Sequence, residues 1–409
     1  MMKCGLLGRK LGHSYSPQIH SMLGNYSYVL FEKEPEEIED FLRCGDWTGM
    51  NVTVPYKKTV IPYLDELTPT AEKLGAVNVI VRRNGKLIGH NTDFFGFQTM
   101  LKASRLDVSG KKALVLGRGG ASNTVTAVLK DAGADVYVIS RNGEHNYSNL
   151  QLHEDAKLIV NTTPVGMYPN TGVSPVDLSL FPNLQGVLDV VYNPARTQLL
   201  MDAAKNADLL TGNGLLMLVA QAKEAAEWFT ETEISDAVIE PILRTLESQM
   251  QNIVLIGMPG CGKSTIGKLL AEATGKIFAD SDELITEMAG KTIPEIFADD
   301  GEATFRNWET KALTELGKQS GLVIATGGGC VTQPRNYDTL HQNGQIFWLQ
   351  RDLSLLPVDG RPLSQANKLE VLYQIRKPMY EAFADHVISN DSEVSSTVQK
   401  ILRIWEENR

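Results

Sequence analysis

Nine residues in the second half of the chain, Gly257-Met258-Pro259-Gly260-Cys261-Gly262-Lys263-Ser264-Thr265, have the types and spacing of a loop that wraps a phosphate chain. They follow the β-branched run Ile253–Ile256 and lead into 266–273, whose apolar spacing is helical, so strand, glycine loop and helix come in the required order. Glycines let backbone N–H groups turn inward on phosphate oxygens, and the helix N-terminus adds its dipole. Lys263 is expected to reach the β and γ oxygens of ATP and Ser264 to coordinate Mg²⁺. Gly260, Cys261, Gly262, Lys263, Ser264 and Thr265 are the expected ATP contacts, with Cys261 a small filler at a variable position.

Carboxylates follow at once. The next expected strand ends at Ile277-Phe278-Ala279 and is succeeded by Asp280-Ser281-Asp282, at the C-terminal sheet edge where α/β folds bind ligands. Either aspartate alone could be a helix cap. Together they suit a division of labour, with Asp280 toward the Mg²⁺ shell and Asp282 toward an acceptor hydroxyl as orienter or general base. Phe305-Arg306 and the loop Thr326-Gly327-Gly328-Gly329-Cys330, after the expected strand Leu322–Ala325, face the same edge. Three consecutive glycines after a strand mean that something approaches the backbone closely.

The first half offers a different chemistry. Leu114-Val115-Leu116-Gly117-Arg118-Gly119-Gly120-Ala121-Ser122 reads as strand, glycine turn and helix start, the opening of a dinucleotide-binding unit. The following strand, Val136–Ile139, ends in Ser140-Arg141, where NAD-selective sites carry an acidic residue. An arginine there favours NADP by pairing with its 2′-phosphate; the alternative is an incidental surface arginine. Outside this unit, Asn51-Val52-Thr53-Val54-Pro55-Tyr56-Lys57 and Gly89-His90-Asn91-Thr92-Asp93 each place polar groups after an expected strand. Lys57, by itself a plausible solvated lysine, can converge with Asp93. A lysine beside a carboxylate can give a proton to a ketone oxygen as hydride arrives, and take it back in reverse.

These groups need elements to hold them. Apolar runs alternate with helical periodicity throughout, the pattern of parallel α/β folds. A hairpin is expected over 77–83 and 86–90 around Asn84-Gly85, strands at 113–116, 136–140, 158–160 and 187–190, and helices at 214–229 and 234–247. The polar stretch 247–252 then precedes a fresh strand, which is the expected boundary. A chain of 409 residues exceeds what one hydrophobic core serves, so two domains are expected. A net charge of −10 without clustered Lys and Arg argues against nucleic acid. No apolar stretch approaches the ~18 residues of a membrane span. The apolar run at the start is too short for a secretory signal and reads as the first strand. Cys4, Cys44, Cys261 and Cys330 form no C-x-x-C pair, which points away from disulfides and structural zinc and toward a reducing cytoplasm.

The second half resembles shikimate kinase through G-M-P-G-C-G-K-S-T, D-S-D, G-E-A-T-F-R-N-W-E, T-G-G-G, G-R-P-L and R-K-P-M-Y. The resemblance implies that Asp282, Arg306, Gly328 and Arg376 hold the ring hydroxyls and carboxylate of shikimate, and that Arg361 in the lid contacts ATP phosphates. Guanidinium forks suit an anionic carboxylate. The family's lid usually has another basic residue upstream of that arginine, and 355–360 has none.

The first half resembles shikimate dehydrogenase through Gly12-His13-Ser14-Tyr15-Ser16-Pro17, N-V-T-V-P-Y-K, A-V-N, N-T-D, G-R-G-G-A, S-R-N, N-T-T-P-V-G-M, D-V-V-Y-N-P and G-L-L-M-L-V-A-Q-A. This implies Lys57 and Asp93 as the catalytic pair and Ser14, Ser16, Asn51, Thr53, Asn78, Tyr192 and Gln221 as substrate-binding groups. NADP(H) is then held by Gly117, Arg118, Gly119, Gly120, Ala121, Ser140, Arg141, Val190 and Gly214. Arg118 stands at a position usually small in the family, and Asn142 and His145 stand where a threonine and a second arginine are common. His13 and His90 match no catalytic position and are expected to be structural.

The expectation is an α/β chain: a dehydrogenase over 1–247, with a substrate part (1–100 and 215–247) and a Rossmann NADP-binding part (101–214), then a P-loop, nucleotide-monophosphate-kinase-like domain over 252–409 with a parallel sheet. It would reduce 3-dehydroshikimate with NADPH and phosphorylate the product with Mg²⁺ and ATP. A quinate/shikimate dehydrogenase using NAD, a kinase of another polyol, and a binding protein derived from a dead enzyme are the alternatives. Oligomeric state is left open.

Overall fold

The computed structural model describes residues 2–12, 14–356 and 369–407. They form two compact units: Met1–Val165, Ser174–Tyr192 and Asp202–Thr245 make the first, and Gly166–Val173, Asn193–Met201 and Leu246–Arg409 the second.

The first unit has two sheets. One contains β1 (Lys3–Gly8), β2 (Ser27–Glu32), β3 (Gly49–Val52), β4 (Glu66–Leu67), β5 (Val79–Arg83) and β6 (Lys86–His90), in the order β2-β1-β3-β5-β6-β4. The β5–β6 hairpin turns on Asn84 and Gly85 at φ 50° and 78°, the two positive angles that a twisted two-residue turn demands. It starts two residues later than the hydrophobic run suggests. The Val77 N–H bonds instead to the Lys57 carbonyl, and the Asn78 carbonyl accepts from Val52, so the run's first residues brace the Lys57 loop.

The other sheet contains β7 (Lys112–Leu116), β8 (Asp135–Ile139), β9 (Leu158–Asn161), β10 (Gly186–Asp189) and β11 (Leu210–Gly212), all parallel, in the order β8-β7-β9-β10-β11. Strand order reverses between β7 and β9, which opens a crevice at the carboxyl ends of those two strands. Val115, Val160 and Leu188 pack with Phe97, Met100 and Leu101 of the helix Asp93–Ala103 and with Val125 and Leu129 of the helix Gly120–Asp131. Asp93 is thus the first residue of a helix whose opposite end is locked into this core.

The second unit is built on β12 (Asn252–Ile256), β13 (Ile277–Asp280), β14 (Leu322–Ala325), β15 (Gly344–Gln350) and β16 (His386–Ser389), parallel throughout, in the order β13-β14-β12-β15-β16. Central β12 is fully buried, as a strand covered on both faces must be, and it feeds the glycine loop. The helix expected at 234–247 spans Ile239–Met250 instead: Ser235 first caps a 3-10 turn over Asp236–Val238, and the helix then runs through the polar stretch to within two residues of β12. Two short stretches from the middle of the chain also join this unit. Arg196 accounts for the second, its guanidinium donating to the carbonyls of His341 (2.9 Å) and Gly344 (2.7 Å) and its backbone N–H to that of Gln342 (2.9 Å).

Candidate active sites

In the first unit Lys57 ends the loop after β3 and Asp93 opens a helix after β6, and sheet pairing brings them together. Lys57 Nζ donates to Asp93 Oδ2 at 2.6 Å, the two side chains being 26% and 15% exposed. Asn78 Nδ2 donates to Asp93 Oδ1 at 3.0 Å and to Thr92 Oγ1 at 3.1 Å, while Asn78 Oδ1 accepts from the Thr92 N–H at 2.7 Å. Asn91 Oδ1 accepts the Asp93 N–H at 3.1 Å. Both carboxylate oxygens are therefore engaged, and the ammonium lies at the wall of a cavity of about 320 Å³.

That cavity is lined by Ser14, Ser16, Asn51, Thr53, Lys57, Asn78, Asp93, Tyr192 and Gln221, and by Ala121, Val190 and Gly214 from the dinucleotide-binding side. A wall of hydroxyls and amides with one ammonium suits a small, hydroxylated molecule carrying a reducible carbonyl. Tyr28, not singled out in the sequence, fixes Asn51 by donating to its Oδ1 at 2.7 Å. Behind Tyr28 the His20 ring stacks at 4.0 Å, and burial pushes its pKa down to about 3, so it is a neutral packing group. Asn91 and Thr92 were visible only as parts of a motif, and their bracing role needs the fold. His90 is structural: it bonds Thr68 at 2.8 Å and stacks on Trp228. His13 lies outside the described residues.

The β7–β9 crevice holds a cavity of about 860 Å³ lined by Gly117, Arg118, Gly119, Ser140, Arg141, Asn142, Thr162 and Thr163. Gly117 has φ 110°, and a Cβ there would come within 2.9 Å of Thr162 Oγ1, so glycine is required on both counts. Gly120 begins the helix, and Ser122 Oγ closes the turn on the Gly117 carbonyl at 2.8 Å. Neither Arg118 nor Arg141 has an ion-pair partner among the described residues. An open glycine turn, a helix start and two uncommitted guanidinium groups suit a phosphorylated dinucleotide. His145 does not join this wall; it turns to His153 at 3.2 Å.

In the second unit a cavity of about 710 Å³ gathers Gly260, Gly262, Lys263, Ser264, Thr265, Asp280, Asp282, Arg306, Gly328 and Arg376. Lys263 Nζ is held by the carbonyls of Gly257 and Met258 at 2.9 and 3.0 Å. Ser264 Oγ donates to Asp280 Oδ2 at 2.7 Å, and Asp280 Oδ1 caps the next helix through the Asp282 N–H at 3.0 Å, so the carboxylate is a helix cap and at the same time lies against the Ser264 hydroxyl. A hydroxyl and a carboxylate are the hard oxygen donors that Mg²⁺ takes alongside phosphate and water oxygens. Cys261 is the exception: it is buried off the cavity, its carbonyl accepting from Asn390 at 2.6 Å. Arg361 lies outside the described residues.

Each glycine of the T-G-G-G loop answers to a different neighbour. A Cβ on Gly327 would meet Glu309 Oε1 at 2.8 Å and Asp282 Oδ1 at 2.9 Å, one on Gly328 would meet Pro259 Cδ at 2.6 Å, and one on Gly329 would meet Arg306 Nη1 at 2.2 Å. Arg376 donates to the Gly328 carbonyl at 3.1 Å, and the Tyr380 hydroxyl donates to the same oxygen. Arg306 pairs with fully buried Glu309 at 2.8 Å and with Glu302 at 3.0 Å. Glu309 stood in the sequence only as the last residue of the G-E-A-T-F-R-N-W-E motif, with no role given to it, although its place three residues after Arg306 on a helix is a pairing signal. Asp282 Oδ1 and Glu309 Oε1 are buried without a hydrogen-bond partner among the described residues. Burial, reinforced by Asp280, lifts the Asp282 carboxyl to about 6, poised to exchange a proton near neutrality.

Comparison with known proteins agrees with these geometries. The family model for shikimate kinase matches residues 259–406, and that for the shikimate dehydrogenase substrate binding domain matches residues 6–80. The chain is 37% identical over 266 residues to the NADP(+) shikimate dehydrogenase of Clostridium perfringens, covering 59% of this chain and 97% of that one. It is 39% identical over 267 residues to that of Caldanaerobacter subterraneus, covering 58% and 95%. Among solved structures, shikimate dehydrogenase 1 of Peptoclostridium difficile aligns with a TM-score of 0.55 at 38% identity, covering 60% of this chain and 98% of that one. A chorismate mutase/shikimate 5-dehydrogenase fusion protein from Clostridium acetobutylicum aligns with a TM-score of 0.57 at 35% identity, covering 60% and 97%. The crevice, the Lys57–Asp93 pair and these relatives converge: the chain belongs to the shikimate dehydrogenase family, and it carries a shikimate kinase domain after it.

Proposed function

We propose that this chain carries out two consecutive reactions on one carbon skeleton: NADPH-dependent reduction of 3-dehydroshikimate to shikimate, then phosphorylation of shikimate to shikimate 3-phosphate with Mg²⁺ and ATP. The observation that carries it is that each unit has a cavity with its own proton-handling group facing hydrogen-bonding walls, Lys57 in one and Asp282 in the other. NADPH supplies the hydride when bound, and Mg·ATP the phosphoryl group.

Lys57 gives its proton to the substrate's ketone oxygen as that oxygen becomes a hydroxyl, and takes it back in reverse. Asp93, fixed by Asn78, holds the ammonium in place and aimed. Ser14, Ser16, Asn51, Thr53, Asn78, Tyr192 and Gln221 hold the substrate's hydroxyls and carboxylate. The turn Gly117–Ala121 takes the pyrophosphate, Ser140 and Arg141 the 2′-phosphate, and Val190 and Gly214 the nicotinamide end.

In the second site Gly260 and Gly262–Thr265 hold the phosphate chain, and Ser264 and Asp280 would offer two oxygens to Mg²⁺. Asp282 accepts the proton of the attacking hydroxyl. Arg306, Arg376 and the Gly328 backbone hold the carboxylate and ring hydroxyls. The hydroxyl made by the first reaction is the one phosphorylated by the second. We take 1–247 and 252–409 as the two domains. All four cysteines are free, which supports placing the chain in a reducing cytoplasm.

The test is incubation of the full chain with 3-dehydroshikimate, NADPH and Mg·ATP, following NADPH absorbance and identifying products by mass. Shikimate 3-phosphate is expected. NADPH consumption with shikimate as the end product would leave the kinase half without its assigned substrate, and no consumption would remove the dehydrogenase reading.

A further inference from the structure

We propose that Arg351 is a nucleotide-binding residue of the kinase site, supplying the phosphate chain of ATP with the guanidinium contact that the sequence upstream of Arg361 lacks. The proposal deepens the kinase reading above and rests on it.

Arg351 directly follows β15, which pairs with β12 so that Trp348 lies opposite Ile256, the residue before the glycine loop. The end of β15 is pressed against that loop: a Cβ on Gly257 would come within 2.5 Å of the Leu349 carbonyl. One step further along, a Cβ on Gly262 would come within 4.0 Å of Arg351 Nη1 and 3.2 Å of Asn390 Nδ2. The guanidinium therefore stands beside the residue preceding Lys263, on the flank of the phosphate-wrapping turn rather than on the side of Asp282 and Arg306.

Its bonding state separates it from the other cations of this site. Lys263 is held by two loop carbonyls, Arg306 by Glu302 and Glu309, and Arg376 by the Gly328 carbonyl. Arg351 has no hydrogen-bond or ion-pair partner among the described residues, and its Nε is buried without an acceptor. A buried N–H without an acceptor is costly unless a ligand completes it.

The acidic residues next to Arg351 in sequence and after β16 bond elsewhere. Asp352 Oδ1 takes the Ser354 N–H and hydroxyl, while Asp391 takes the Asp352 N–H through Oδ1 and the Ser389 hydroxyl through Oδ2. Asn390, from the end of β16, anchors the loop at the Cys261 carbonyl and is itself held by Thr397 at 2.8 Å. The loop flank is thus tied down by these bonds, and among the described residues Arg351 is its uncommitted charge. Between Arg351 and Arg361 the sequence has no other Lys or Arg, so position 351 is the nearest upstream source of positive charge. A guanidinium there can fork onto phosphate oxygens, and its place beside Gly262 puts it at the phosphate-wrapping turn.

The experiment uses the full chain and measures ADP binding by calorimetry together with kinase kinetics for wild type, Arg351→Met and Arg351→Lys. Loss of one such contact predicts that Arg351→Met weakens ADP and raises the KM for ATP by roughly 10- to 100-fold. The KM for shikimate and the dehydrogenase activity should stay within about twofold, and Arg351→Lys should recover a good part of the loss as a point charge. An active wild type with ADP affinity unchanged in Arg351→Met would overturn the assignment, as would a lysine variant no better than methionine. A wild type that neither binds ADP nor phosphorylates shikimate would instead bring down the kinase reading on which it rests.

Discussion

The two sites handle charge in opposite ways. In the first unit, Lys57 arrives already paired: Asp93 holds it with one oxygen and is itself held by Asn78 through the other. In the second, one buried carboxylate oxygen each of Asp282 and Glu309 has no hydrogen-bond partner among the described residues. The difference follows from what each site must meet. A ketone presents a dipole, so the dehydrogenase site needs one aimed proton donor whose charge is balanced internally. The kinase site must take up a triphosphate, a cation and a hydroxyl proton, and valences left open in the protein are completed by them.

That contrast can be broken first by deleting each unit's cation. Lys57→Ala should lower dehydrogenase kcat by about 10³-fold while leaving shikimate phosphorylation within about twofold. Lys263→Ala should do the converse, with about 10³-fold loss of kinase kcat. Assaying both activities of each variant checks this; cross-talk between the losses would show that the two sites do not work independently.

A smaller effect is expected at the cofactor. Arg141→Ala should raise the KM for NADPH by roughly 10- to 50-fold with little change in kcat, and leave the KM for NADH nearly unchanged, because only the former carries the 2′-phosphate. Equal losses with both cofactors would make Arg141 a general dinucleotide contact.

The open carboxylates predict a pH signature confined to the kinase. With its carboxyl lifted to about 6, Asp282 is protonated below that pH and cannot accept the hydroxyl proton. Kinase kcat/KM for shikimate should therefore fall by about tenfold per pH unit below about 6. Asp282→Asn should remove that inflection from whatever activity remains.

The smallest effect concerns stability. Folded Asp282 binds its proton more tightly than the unfolded chain does, so ionising it costs stability as pH rises from about 4 through about 6, and the cost persists above. Asp282→Asn should raise the kinase unit's thermal midpoint by a few degrees at pH 8 and lose that advantage near pH 4. A variant less stable than wild type at pH 8 would mean that the carboxylate is better compensated than its unpartnered oxygen indicates.

Legibility differed by how local each feature is. The glycine loop is nine consecutive residues and could be read whole, down to the lysine and the serine. The three glycines at 327–329 announced only that something comes close. That Pro259, Arg306 and a pair of carboxylates each claim one of them is a fact of packing. Lys57 and Asp93 lie 36 positions apart, and each alone is an ordinary polar residue; their pairing was legible through resemblance and is explained by β3 joining β5. Glu309 was given no role beyond its place in a motif because a glutamate on a helix usually faces water, and here it is fully buried against Arg306. The helix at Ile239–Met250 was placed early because its apolar spacing begins before the Ser235 cap forces a tighter turn.

By itself, the sequence determined the α/β class, the presence of two nucleotide-handling halves and the identity of the loops that carry them, because strand, glycine turn and helix start are encoded within a dozen residues each. Only the tertiary structure decided how charge is distributed: among the described residues, which carboxylates are satisfied, which are left open, and which arginine beside the loop has no partner. Those properties depend on burial and on partners drawn from distant strands, and burial sets the cost of an unpaired charge.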